Sequence, residues 1–136
     1  MISLDSNVIL SAINTKDANC GRARTVLAST MPSAVHVISP PVHAELNASA
    51  DIVQIQGWLN ANRVGVLWPM PEWVWTRAGQ TFLAYAKSRR SGVLPRRILA
   101  DFLIAAHAEH HSADVLTFDP IIYAAVFPNL NVIVAT

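Results

Sequence analysis

Four carboxylates stand at the edges of apolar stretches: Asp5 in ISLDSNVIL, Glu45 in PPVHAEL, Asp101 in ILADFLIAAHA and Asp119 in VLTFDPIIYAAVFP. Charged residues make up only 14% of the chain, so a carboxylate beside a core segment needs a structural or chemical reason. Drawn together by a fold, the four would repel, and without a counter-ion at least one would keep its proton. An all-oxygen, anionic set favours Mg²⁺ or Mn²⁺ over Zn²⁺. Such a cation can activate a water for in-line attack on phosphorus and stabilise the leaving oxygen. The expected chemistry is phosphodiester hydrolysis with no nucleophilic side chain.

Each carboxylate also has a plainer reading. Asp5, followed by Ser6 and Asn7, suits an Asx turn. Asp119 before Pro120 suits a helix N-cap. Glu45 among Val42, Ala44, Leu46 and Ala48 could face solvent. Asp101 is harder to dismiss, because Ile98, Ile104, Ala105 and Ala108 share its helical face. A lone carboxylate there costs several kcal/mol unless paired with Arg97 or bound to a metal. Thr117, two residues before Asp119, and Ser6 can hydrogen-bond a carboxylate or a water, and Asn7 can fix the Asp5 rotamer.

The elements that must position these groups alternate. Strands are expected at 2–5, 35–39, 64–68, 114–118 and 131–135. Helices are expected after Asn7, over 20–29, from Pro41 to about Ser49, over 52–62 with Asp51 as cap, from Pro71-Glu72 to about Arg90, over 97–111 and from Asp119-Pro120 to Phe127. The strands are short apolar runs rather than alternating ones, which implies a parallel sheet covered by helices on both faces. Ligands of such folds bind beyond the carboxyl ends of strands, where Asp5 and Asp119 fall.

The 136 residues suffice for one domain with a real core, 1–136, and not for two. Hydrophobic residues make up 52%, which excludes a disordered chain. Cys20 is the single cysteine, so no internal disulfide forms, as suits a reducing compartment. Neither a signal peptide nor the roughly 18 apolar residues of a membrane span is present, and a cytoplasmic location is expected.

These residues resemble the PIN-domain nucleases, and among them the VapC-type toxins of bacterial toxin–antitoxin pairs. LDSNVIL resembles the N-terminal acidic strand end, VHAEL the Glu-bearing helix, and LADFLIAAHA the Asp followed by a small-residue apolar helix. VLTFDPIIYAAVFPNLNVI resembles the C-terminal Thr-x-Asp strand, short helix, Phe-Pro and last strand. The resemblance implies an α/β/α sandwich with a five-stranded parallel sheet and Mg²⁺- or Mn²⁺-dependent endoribonuclease activity. It also implies a homodimer and neutralisation by a small cognate antitoxin. Asp5, Glu45 and Asp101 match the usual metal ligands, and Asp119 the more variable fourth position. Phe118 departs from the family, many members of which carry a polar or basic residue there.

Five of the ten basic residues, Lys87, Arg89, Arg90, Arg96 and Arg97, precede Asp101 and are candidates to hold RNA phosphates. The plain alternative is a solvated helix end. His107 and His111 are spaced i, i+4, but HAEHH fits neither zinc signature, and an exposed helix end is expected. Of Trp73 and Trp75 one is expected to pack inward, while Trp58 and Trp68 are assigned to the core or a subunit interface. An apolar groove between the first helices and the 52–62 helix is expected to receive an amphipathic antitoxin peptide. Two other functions compete: a Mg²⁺-binding receiver domain, disfavoured because residues 112–136 contain no Lys, and a catalytically silent PIN-like binding module.

Overall fold

The computed structural model describes residues 1–89 and 98–135. Five parallel strands, β1 (Ile2–Leu4), β2 (His36–Ile38), β3 (Gly65–Val66), β4 (Asp114–Thr117) and β5 (Val132–Val134), form one sheet in the order β3-β2-β1-β4-β5. The register pairs Ile2 with both His36 and Asp114, so β1 is central and its carboxyl end lies between those of β2 and β4. The order reverses at β1, and the crevice at such a reversal is where doubly wound sheets place ligands.

Seven helices flank the sheet among the described residues: α1 (Ser6–Ile13), α2 (Cys20–Thr30), α3 (Pro40–Asn47), α4 (Ile52–Ala61), α5 (Glu72–Arg89), α6 (Leu99–His110) and α7 (Ile121–Val126). Successive β4 residues serve opposite layers. Leu116 packs with Leu4, Val8, Ile9, Leu27, Leu46 and Ile55, whereas Val115 packs with Val74, Ala78, Tyr85, Phe102 and Tyr123. That two-sided burial explains why the strands read as continuous apolar runs.

Boundaries shift slightly from expectation. No turn separates β1 from α1, because Asp5 itself is the extended residue before the helix. Helix α3 starts at Pro40 rather than Pro41, since Ser39 Oγ accepts the Val42 N–H at 3.4 Å and so caps the helix one residue earlier. Helix α7 starts at Ile121 behind Pro120, leaving Asp119 outside the cap position.

Two side-chain expectations are overturned. His107 is not at an exposed helix end but 0% exposed. Its Nε2 donates to the Leu67 carbonyl at 2.7 Å, and His111 Nε2 donates to that of Pro69 at 2.8 Å. Neither Trp73 nor Trp75 points inward; they are 48% and 53% exposed, and Val74 between them is the buried residue. Trp68 is also exposed, lying edge-on to His43, while Trp58 packs against the core as expected. No described helix is long and apolar enough to cross a membrane.

Candidate active site

Asp5 leaves the carboxyl end of β1 at the sheet's reversal point and is only 7% exposed. Its Oδ2 accepts two hydrogen bonds, from Thr117 Oγ1 at 2.8 Å and from the Tyr123 hydroxyl at 3.2 Å. Thr117 sits at the end of β4, the strand paired with β1, so the parallel register brings the two side chains together. The Thr117 hydroxyl is fully used: it donates to Asp5 and accepts from the Asp119 N–H at 3.0 Å and, more weakly, from Asn7 Nδ2 at 3.5 Å. Asn7 Oδ1 in turn accepts the Phe118 N–H at 3.4 Å. The Asn7 side chain therefore reaches Asp5 through Thr117 and ties the start of α1 to the end of β4, while its backbone N–H supports Asp5 directly.

Glu45 projects from α3, which follows β2. Ser6 Oγ donates to Glu45 Oε2 at 3.3 Å, linking the residue after Asp5 to the second carboxylate. Asp101 lies in the first turn of α6, where the helix dipole favours a negative charge. Its Oδ2 accepts the Ile98 N–H at 3.4 Å, satisfying one donor of the helix start. Ile104, Ala105 and Ala108 on its face are buried as expected, but Ile98 is exposed, so Asp101 sits at the rim of the core rather than within it.

Asp5, Glu45, Asp101 and Asp119 line one cleft of about 220 Å³, together with Ser6, Asn7, Ile122 and Tyr123. Burial pushes the Asp5 carboxyl up, against the opposing pull of its bonds from Thr117 and Tyr123. Burial also raises Glu45, with the charges of Asp5 and Asp101 adding to it. Tyr123 is driven well above the ordinary phenol range, first by burial and then by Asp5, Asp101 and Asp119. It stays a hydrogen-bond donor. Tyr123 was not singled out from sequence; it lies in the first turn of α7, four residues beyond Asp119.

The donor set fits a hard divalent cation: four carboxylates and the Ser6 hydroxyl, with no basic side chain lining the cleft among the described residues. As placed, no three His, Cys, Asp or Glu side chains among the described residues are close enough to grip one ion. Of the basic residues singled out, Arg89 ends α5 and is exposed, while Arg90, Arg96 and Arg97 lie outside the described residues.

A family profile described as PIN domain matches residues 2–128. The chain belongs to the PIN domain family. No curated protein matches it in sequence. Solved structures share the PIN fold along almost its whole length. VapBC2 from Rickettsia felis, bound to a DNA fragment from its promoter, is 22% identical, covers 100% of both chains and has a TM-score of 0.69. VapC20 from Mycobacterium tuberculosis, a Sarcin-Ricin loop cleaving toxin, is 18% identical over 92% of this PIN chain and 95% of its own, with a TM-score of 0.69. VapBC-1 from nontypeable Haemophilus influenzae is 22% identical, covers 98% of each and scores 0.66.

Proposed function

We propose that this PIN domain is a Mg²⁺- or Mn²⁺-dependent endoribonuclease and the toxin of a VapBC-type pair. The observation that carries the reading is one acidic cleft at the sheet's reversal point, lined by carboxylates from four distant segments. In this reading Asp5, Glu45, Asp101 and Asp119 hold the cation. Bound there, it would supply Lewis-acid charge that favours ionisation of an attacking water and offsets charge developing on the phosphate oxygens.

The chain's own groups do the rest. Thr117 and Tyr123 fix one oxygen of Asp5, and Ser6 orients Glu45, so these carboxylates are aimed before any substrate arrives. The α6 N-terminus offsets the negative charge of Asp101. Ile122 and Tyr123 form the least polar wall of the cleft.

RNA as substrate, a homodimer and a small antitoxin are carried over from the VapBC resemblance. Support for a docked antitoxin comes from two clefts along α1, α2 and α4. One, of about 360 Å³, sets Leu10, Ile13 and Ile55 beside the polar Asn14, Thr15, Lys16, Asp51 and Gln54. The other, of about 220 Å³, includes Ala12, Leu27, Met31 and Trp58. The test is expression of the chain alone: growth arrest with RNA breakdown is expected, relieved by the small protein encoded beside it and absent for Asp5→Asn. Growth arrest that persists in Asp5→Asn would refute the reading.

A further inference from the structure

We propose that Arg22 anchors a backbone phosphate flanking the cleavage point, at the rim of the acidic cleft. The inference rests on the ribonuclease reading and names a substrate contact for it. Among the described residues no side chain lining the cleft is basic, and a polyanion approaching carboxylates is held by positive charge placed beside them.

Arg22 supplies it in a fixed place. Its guanidinium carbon lies 5.4 Å from the centroid of the Phe118 ring. Phe118 stands between Thr117 and Asp119; its N–H is bound by Asn7, a residue of the cleft, and its side chain packs against the core. On another side an Arg22 Nη–H donates to Asn19 Oδ1. Asn19 is itself held, its N–H donating to Asp17 Oδ1 at 2.7 Å, while Ser11 Oγ donates to Asp17 Oδ2 at 3.1 Å. A guanidinium carries five donors, and its planar fork matches two phosphate oxygens.

Two observations separate Arg22 from an ordinary structural arginine. Arg77 stacks similarly, 5.3 Å from the Phe127 centroid, but Glu109 neutralises it through bonds of 2.9 and 3.2 Å. Among the described residues no carboxylate forms an ion pair with Arg22. Arg22 is also exposed in the first turn of α2, where a positive charge opposes the helix dipole and costs stability. An exposed, unneutralised cation held against the dipole by an aromatic face at the site's edge is placed for an anion that arrives from solution.

The experiment measures cleavage and binding of a labelled, mixed-sequence single-stranded RNA at several salt concentrations. Arg22→Gln is compared with Arg63→Gln, which makes the same charge change just before β3, at the opposite end of the sheet. For Arg22→Gln, KM should rise about three- to tenfold with kcat within about twofold, and the salt slope should flatten by about 0.7, one single-strand phosphate contact. Its Tm should stay or rise, Arg22→Lys and Phe118→Leu should fall between wild type and Arg22→Gln in KM, and Arg63→Gln should match wild type. Wild type that cleaves RNA while Arg22→Gln keeps the same KM and salt slope overturns the proposal alone. Wild type that neither binds nor cleaves RNA overturns the parent reading and this inference with it.

Discussion

Thr117 Oγ1 donates to Asp5 Oδ2 at 2.8 Å, joining two residues 112 positions apart. The bond exists because β1 and β4 are neighbours in register, and it leaves the Thr117 hydroxyl with no spare capacity. Asp5 is thus oriented by the sheet itself, not by a mobile loop.

Thr117→Val keeps the shape and removes the hydroxyl. Cleavage should fall about 10- to 100-fold in kcat/KM, the usual cost of losing an outer partner of a metal-binding carboxylate. Stability should drop by about 1–2 kcal/mol, because the Asp119 N–H and one Asp5 bond lose their partner. Thr117→Ser should restore most of both, as read by kinetics and denaturant melts.

Asp5 and Glu45 have carboxyls raised above their ordinary range. The folded chain therefore binds these protons more tightly than the unfolded chain does. Their contribution to stability is present below the ordinary carboxylate pKa of about 4 and is lost as pH rises through the raised values. In cation-free buffer Asp5→Asn should raise Tm at neutral pH by a few degrees and flatten that pH dependence. Mg²⁺ or Mn²⁺ should stabilise wild type more than the variant.

His36 and His107 move the other way, both lowered mainly by burial. Their neutral forms favour the fold, so their contribution is intact above the unfolded pKa of about 6.5 and is lost as pH falls through the folded values. For His107 the reason is geometric: Nε2 is committed to Leu67, and Nδ1 has no partner among the described residues to receive a second proton's bond. His107→Gln should lose about 1–3 kcal/mol at pH 7 and show a smaller further loss between pH 7 and 5, measured by urea unfolding.

Tyr123→Phe tests the buried hydroxyl. Asp5 keeps Thr117 but loses its second donor, so activity should fall several-fold with a stability change of about 1 kcal/mol. Because Tyr123 remains protonated, the pH–rate profile of wild type should show no alkaline limb that Tyr123→Phe removes.

The sheet was legible because each strand is buried on both faces, as Val115 and Leu116 show by serving opposite layers. That the four carboxylates face one cleft was legible for Asp5, Asp101 and Asp119 from the strand ends and the first turn of α6, whereas Glu45, in the second turn of α3, had no such positional signal. Tyr123 was hidden by its setting in IIYAAV, where an aromatic residue reads as core, and it is core except for one hydroxyl. His107 was misread because HAEHH looks polar, while its burial depends on a carbonyl 40 residues away. The two exposed tryptophans follow from Val74, the residue between them, which takes the inward position.

The most direct measurement is cleavage of a mixed RNA pool by purified wild type, Asp5→Asn and Asp101→Asn, each with Mg²⁺, with Mn²⁺ and with chelator. Wild type should cut only with a cation, and both variants should lose at least about 100-fold of that activity. Cleavage that survives in both variants, or that is indifferent to chelation, would contradict a cation-dependent site at the end of β1.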